Sequence, residues 1–541
     1  MSENMVLLTA ENIRKSYGTR VIFDDISFSI HEGDKIGVIG VNGTGKSTLL
    51  KIIAGVDQAD SGSIVTMNGM RIGYLSQSPV FVDGTTVLQQ VFRGENPQLA
   101  LVREYEETMA ALAKTPEEER LVKRAAELAE KMAKAEAWSL ESEAKTILTK
   151  LGISDFGQTV ETLSGGQKKR VALAAALIAP VDLLILDEPT NHIDNDTVDW
   201  LEKHLEKYSK ALLMVTHDRY FLDRVANRTL ELEQGKLYSY QANYSKFLEM
   251  KAEREELIAA GERKRQNFLR TELEWVRRGA QARSTKQKAR LQRFEEVSAI
   301  RAPEEKQSVE LSSVGSRLGK KTIALRNICK AYDGKTYIKD FSYIILRDDR
   351  VGIIGDNGCG KSTLLNIMTG RLKPDSGEVE IGETVKIGVF AQENVDMDEK
   401  QRVIDYIRDE AEIIRTADGH ITASQMLDRF LFPPSMQRGP ISVLSGGERR
   451  RLYLCRVLMG APNILFLDEP TNDLDIETLM ILEEYLEHFN GAVVAVSHDR
   501  YFLDHTVNRI FEMENHHLSV YEGNYTFYAD EKRVRLAAEL K

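Results

Sequence analysis

With 541 residues, 42% of them hydrophobic and 29% charged, the chain has the composition of an ordinary globular protein and enough length for more than one domain. No run approaches the roughly 18 apolar residues of a membrane helix, the N-terminus reads as no export signal, and three scattered cysteines (Cys329, Cys359, Cys455) argue against a disulfide framework, a zinc site or an iron–sulfur cluster. The cytoplasm is the expected compartment, and the net charge of −11 argues on average against nucleic-acid binding. In chain order, the first element with chemical content is the apolar run KIGVI, read as a strand. It enters Gly40-Val41-Asn42-Gly43-Thr44-Gly45-Lys46-Ser47 and then the helix-like STLLKII. That strand–loop–helix context turns a match to G-x-x-x-x-G-K-[ST] into a phosphate loop. Gly40, Gly43 and Gly45, with Asn42, let backbone N–H groups wrap phosphates at the positive end of a helix. Lys46 is placed to reach the β- and γ-phosphates, and Ser47, beside Thr48, to coordinate Mg²⁺.

GVNGTGKSTLLKIIAG (40–55) returns as GDNGCGKSTLLNIMTG (355–370), an offset of 315 that Gln77 and Gln392 share. LSGGQ (163–167) and LSGGE (444–448) are instead 281 apart, as are LDEPTNH and LDEPTND, and THDRYFLD and SHDRYFLD. The first copy therefore holds 34 extra residues between Gln77 and Ser164. Apolar residues recur there at helical spacing, and Thr115-Pro116-Glu117-Glu118 reads as a helix start with Thr115 as N-cap. The spacing predicts a helical hairpin over about 90–140, standing out from the first domain as a mildly acidic arm: residues 101–145 carry 11 acidic and 8 basic side chains.

Further along, LLILDEPT and ILFLDEPT each read as an apolar strand ending in acids. Asp187 and Asp468 are placed to hold Mg²⁺, and Glu188 and Glu469, one residue on, to polarise an attacking water as general bases. Residues 244–321 separate the two copies. From Tyr244 to Arg278 there is no proline and one glycine, which predicts a helix of roughly 50 Å. Gly279 breaks it, Arg278–Arg283 forms a short tip, and a second helix is expected over about 284–297. Between Arg263 and Arg293 there are 11 Lys or Arg and 2 Glu, a local +9 that leaves −20 on the rest of the chain. Solvated helical faces mix signs, so this segregation points to a phosphate-backbone partner. The second copy then repeats the phosphate loop with Gly355, Asn357, Gly358, Gly360, Lys361, Ser362 and Thr363.

These residues resemble the ABC ATPases. LSGGQ and LSGGE look like the family's signature sequence, which implies nucleotide contacts from Ser164, Gly166 and Gln167 and from Ser445, Gly447 and Glu448. Gln77 and Gln392 resemble the Q-loop, which touches nucleotide and metal. His217 and His498 resemble the switch histidine of the γ-phosphate, Tyr17 and Tyr332 the adenine-stacking aromatic, and Asp194 and Asp475 the D-loop acid. The resemblance implies two head-to-tail sites, Lys46, Glu188 and His217 with Ser445 and Gly447, and Lys361, Glu469 and His498 with Ser164 and Gly166. It implies ATP and Mg²⁺, hydrolysis, and an α/β fold: P-loop ABC-type domains at 1–243 and 322–541, an inserted helical arm, and a helical-hairpin linker at 244–321.

Tandem cassettes, the arm, the basic linker and H-D-R-Y-F-L-D after each switch histidine are similar to the ABC-F family, most like its Uup-type bacterial members. LEWVRRGAQARSTKQKARLQRFEE looks like that family's P-site tRNA-interaction motif. The resemblance implies binding at the ribosomal exit site, with Arg277, Arg278, Arg283, Lys286, Lys288 and Arg290 on tRNA or 23S rRNA. It further implies an arm facing the large-subunit stalk protein, no membrane, and a monomer whose cassettes pair within the chain. The short tip favours a housekeeping role in relieving stalled or idle ribosomes. Antibiotic-resistance ribosome protection is the alternative, and a transporter's ATPase subunit the more distant one. The second cassette ends in EGNYTFYADEKR, the counterpart of QANYSKFLEMKAER, so the chain is expected to stop where a second linker would begin.

Overall fold

A computed structural model describes residues 5–277 and 322–539, except 19, 78, 94–96, 116–117, 136, 192, 333, 357, 392–396, 417–418, 473 and 515–516. Each copy of the repeat builds the same two sheets. In the first, Val6–Tyr17 lies between Arg20–His31 and Ser61–Thr66 in an antiparallel three-stranded sheet. The six-stranded sheet runs Ile72–Leu75, Leu183–Asp187, Ala211–Val215, Lys35–Ile39, Arg228–Glu233, Lys236–Tyr240. All its neighbours are parallel except the last pair. The second copy repeats this order with Ile387–Phe390, Ile464–Asp468, Ala492–Val496, Arg350–Gly355, Arg509–Glu514 and His517–Glu522.

The apolar runs LLILD, ALLMV, ILFLD and AVVAV are buried along their whole length. Parallel strands covered on both faces require such continuous apolar sequence. Phe23, Ile36, Leu50, Ile185 and Leu213 belong to the core between the sheets of the first cassette, and Ile353, Leu365, Phe466 and Phe511 to that of the second. This core fixes the carboxyl ends of the strands, where parallel α/β sheets bind ligands.

The 34-residue difference between the copies is accounted for by the arm. Pro97–Lys114 and Glu119–Lys134 are consecutive helices, with Leu99, Val102, Leu128 and Met132 buried and Arg124 of one ion-paired with Glu104 of the other. At the corresponding place the described residues of the second copy form a short hairpin, Ile413–Thr416 with Gly419–Thr422. The expected N-cap at Thr115 is corrected. The helix begins at Glu119 with Glu118 as its N-cap, and the Thr115 hydroxyl donates back to the Ala111 carbonyl at 3.1 Å, closing the preceding helix.

The two cassettes form one compact unit, and Ala242–Glu310 another. The described part of that second unit is a single helix, Tyr244–Arg277, whose 34 residues span about 51 Å at 1.5 Å per residue. The expected tip and second helix lie outside the described residues.

Candidate nucleotide sites

Each phosphate loop needs glycine at defined points. Gly43 and Gly45 have φ of 85° and 96°, and a Cβ on Gly45 would lie 2.2 Å from Ile22 Cγ2. Gly358 and Gly360 repeat the left-handed backbone at 79° and 113°. The loops open the helices Lys46–Ile53 and Lys361–Met368, which carry Thr48 and Thr363 in their first turns. Lys46 is buried, which lowers its pKa, and its Nζ donates to the Gly40 carbonyl at 2.6 Å and to Asn42 Oδ1 at 3.4 Å. Lys361 Nζ donates to the Gly355 carbonyl at 2.7 Å and lies 3.1 Å from His498 Nε2.

The acids at the strand ends meet these loops. Ser47 Oγ donates to Asp187 Oδ1 at 3.2 Å, and Ser362 Oγ to Asp468 Oδ1 at 3.4 Å. Burial pushes both aspartates above the usual carboxylate range, and Asp187 Oδ2 is buried with no hydrogen-bond partner among the described residues. A hydroxyl beside a partly unsatisfied buried carboxylate suits Mg²⁺, an oxygen-seeking cation. Gln77 lines a small recess with Asp187 and Glu188.

Glu188 and Glu469 adopt φ of 54° and 48°, a left-handed conformation costly for a residue with a Cβ and concentrated at functional sites. Their N–H groups donate to the carbonyls of Val215 and Val496, both at 2.9 Å, which pins them at the end of the neighbouring strand. Burial pushes each carboxyl up to about 8. His217 Nε2 stands 3.1 Å from Glu188 Oε1, and His498 Nε2 3.6 Å from Glu469 Oε1. Burial, reinforced by the neighbouring lysine, pushes both imidazoles down to about 3, so they are neutral near pH 7.

The signature serines are helix N-caps. Ser164 opens Gly165–Ile178 and Ser445 opens Gly446–Met459. Gln167 and Glu448 return a side-chain bond to the N–H of their serines, at 2.9 and 2.8 Å. This is a capping box, and S-x-x-[EQ] in LSGGQ and LSGGE is the sequence signal for it. At the first site the signature of the second cassette meets the phosphate loop directly. The Asn42 N–H donates to Asp475 Oδ2 at 2.8 Å, and a Cβ on Gly447 would lie 2.3 Å from Asn42 Nδ2. Arg20, absent from the sequence reading, pairs with Glu448 at 2.9 Å. Burial raises the Glu448 pKa, but Arg20 and the Ser445 N–H outweigh it and hold the carboxyl below its usual range.

At the second site a cavity of about 710 Å³ is lined by Gly358, Gly360, Lys361, Ser362 and Thr363 of one cassette and Gly165 and Gly166 of the other. Glu469, His498 and Tyr332 also line it, and the volume falls within the usual range for small-molecule sites. Tyr17 and Tyr332 end the strands Val6–Tyr17 and Ile323–Tyr332, and both are well exposed, as a ring that stacks on a ligand must be. Asn357 and Gln392 lie outside the described residues, as do Arg278, Arg283, Lys286, Lys288 and Arg290. Arg277 closes the described helix.

Since each site draws on both cassettes, Ser445→Arg is expected to weaken ATP binding at the Lys46 site alone. The loss should be about tenfold or more, the scale of one hydrogen bond to a charged group at about 1.5–3 kcal/mol. Site-resolved nucleotide photocrosslinking reads it, and a loss confined to the Lys361 site would contradict the pairing.

A family model described as ABC transporter matches residues 23–191 and 338–472, and a second of the same description matches 230–311. The chain is 51% identical over 536 residues to an uncharacterized ABC transporter ATP-binding protein, YfmR, of Bacillus subtilis, covering 99% of this chain and 85% of that one. It is 40% identical over 540 residues to the energy-dependent translational throttle protein EttA of Mycobacterium tuberculosis, covering 98% and 97%. Among solved structures, the complex of archaeal ribosomal stalk protein aP1 with ribosome recycling factor aABCE1 matches with a TM-score of 0.56 at 19% identity, covering 93% of this chain and 87% of that one; it shares the fold. Among the described residues, no helix is long and apolar enough to cross a membrane.

Proposed function

The chain belongs to the ABC ATPase family, in its ABC-F branch, and hydrolyses ATP; from that premise we propose that it is a cytoplasmic translation factor that binds the ribosomal exit site and acts on P-site tRNA to relieve stalled or idle ribosomes. ATP sits between each phosphate loop and the opposite signature, so binding draws the cassettes together. Ser47 and Asp187 at one site, and Ser362 and Asp468 at the other, would hold Mg²⁺, with Gln77 lining the recess beside Asp187. The ion would supply positive charge to the phosphates. Glu188 and Glu469 orient and deprotonate the attacking water, while His217 and His498 hold the γ-phosphate through a neutral ring nitrogen. The burial of Glu188 and Glu469 and their strained, pinned backbone support that reading.

The observation that carries the translation reading is the +9 segment between the two ATP-binding cassettes. A cluster of Lys and Arg binds rRNA or tRNA by neutralising phosphates with release of counterions, reading shape rather than sequence. The strongly negative remainder disfavours indiscriminate coating of RNA. EttA, whose name describes a translational throttle, supports the same partner through its likeness over nearly the whole chain. The arm, with its 11 acids and 8 bases over residues 101–145, suits a basic ribosomal protein such as the large-subunit stalk better than a phosphate backbone.

The parent chain is expected to co-sediment with ribosomes when ATP is present. Deleting residues 96–136 should weaken that binding by about tenfold, the scale of about 1.4 kcal/mol, without lowering basal ATPase activity. A parent that fails to co-sediment would contradict the reading, and an arm deletion that binds like the parent would remove the arm from the interface.

A further inference from the structure

The motif H-D-R-Y-F-L-D follows each phosphate loop's strand partner, yet ATP chemistry uses only its histidine. Asp218 and Asp499 cap the helices Arg219–Val225 and Arg500–Thr506, accepting from the N–H of Phe221 and Phe502 at 3.0 Å. Phe221, Leu222, Phe502 and Leu503 are core residues. The arginine and tyrosine do something else. Arg219 and Arg500, 1% and 6% exposed, each leave their own cassette for the other. Arg219 Nη1 donates to Glu483 Oε2 at 2.9 Å and its Nη2 to Oε1, a bidentate pair. Arg500 donates to Glu202 and Asp199. Each guanidinium also faces the other motif's tyrosine: Arg219 lies 4.3 Å from the centre of Tyr501, and Arg500 5.8 Å from that of Tyr220. The two rings meet edge to face at 5.5 Å. Exposed ion pairs contribute little, but both guanidiniums are buried and face a ring, and the Arg219 pair is bidentate, where geometry is strongly enforced.

The partner helices connect this exchange to the ATP sites. Glu483 lies on Ile476–Glu487, whose N-cap is Asp475, the acid that accepts from the Asn42 N–H. One helix therefore touches the phosphate loop of the first site at its start and, about 12 Å further on, the residue two beyond His217. That helix issues from the strand end that carries Glu469 of the second site. Reciprocally, Asp194 caps Asn195–Glu206, which issues from Glu188, and its Glu202 holds the residue two beyond His498.

We propose that Arg219 and Arg500 are positioning residues for hydrolysis: each fixes the switch histidine of its own site against a helix that issues from the other site's general base, so that the two sites hydrolyse as a coupled pair. This rests on the reading of Glu188 and Glu469 as general bases and is independent of the ribosome. Steady-state kinetics of the free full-length protein test it. Glu483→Gln and Arg219→Gln are each expected to lower kcat about tenfold or more, to abolish cooperativity in ATP, and to leave KM within about twofold, as displaced catalytic groups do. The double exchange Arg219→Glu with Glu483→Arg is expected to recover most of kcat and the cooperativity that either exchange alone removes. A role in folding alone would move the thermal unfolding midpoint of Glu483→Gln and not the cooperativity of its folded fraction. Parental kcat and cooperativity in folded Glu483→Gln would overturn the proposal, as would a double exchange no faster than its single halves. If Glu188→Gln and Glu469→Gln both kept parental hydrolysis, the assignment of the bases would fail instead.

Discussion

Replacing Glu188 and Glu469 together by glutamine is expected to cut ATP hydrolysis by about 10²–10⁴-fold, the scale of one positioned general base, while ATP still binds. Glutamine keeps the shape of the side chain and loses the capacity to take a proton. Both positions are held by the strand-end backbone, with N–H groups donating to Val215 and Val496, so the substitution leaves the phosphate loops undisturbed. The lysines, Lys46 and Lys361, and the signature N-caps remain in place to bind nucleotide. Cassettes bridged by ATP should then accumulate on ribosomes and stop translation. Phosphate-release assays on the purified double variant, with filter binding of labelled ATP beside them, check both halves. Hydrolysis at the parental rate would remove these residues from the mechanism.

Charge reversal at Arg277, Arg278, Arg283, Lys286 and Lys288 is expected to leave hydrolysis by the free protein unchanged and to abolish its effect on translation. These side chains supply five of the eleven positive charges between Arg263 and Arg293 and flank Gly279 in the sequence. Each lost phosphate contact should flatten the dependence of log affinity on log salt by about 0.7–0.9. Ribosome binding measured across a salt series therefore counts the contacts. An unchanged slope would mean that the linker does not touch RNA and would return attention to a partner embedded in a membrane.

The chemistry of the ATP sites was legible because it is local. Phosphate loop, strand-end acid pair and signature each occupy a few consecutive residues, and the left-handed glycines and the buried lysines and acids lie where that spacing puts them. The arm was legible through arithmetic, since 315 against 281 leaves its 34 residues in one interval. Its inner boundary was not, because Thr115 has two acceptable partners and the structure chooses the carbonyl of Ala111 behind it rather than the helix ahead. Contacts between cassettes were out of reach altogether. Arg219 and Glu483 are 264 residues apart, and Arg20 and Glu448 are 428 apart. Nothing in a single sequence pairs them until the sheets bring them together. The left-handed backbone of Glu188 and Glu469 was equally hidden, since neither residue prefers it and only the surrounding core enforces it.

The proposed function requires ATP-driven contact between the linker and P-site tRNA or 23S rRNA. The most direct measurement places a photocrosslinker at Ala280, in the segment expected from the sequence to form the linker tip, in the Glu188→Gln, Glu469→Gln variant, and irradiates it with ribosomes and ATP. Crosslinks to P-site tRNA or 23S rRNA that vanish without ATP are the predicted result. Crosslinks to no RNA, with ribosomes and ATP both present, would contradict it.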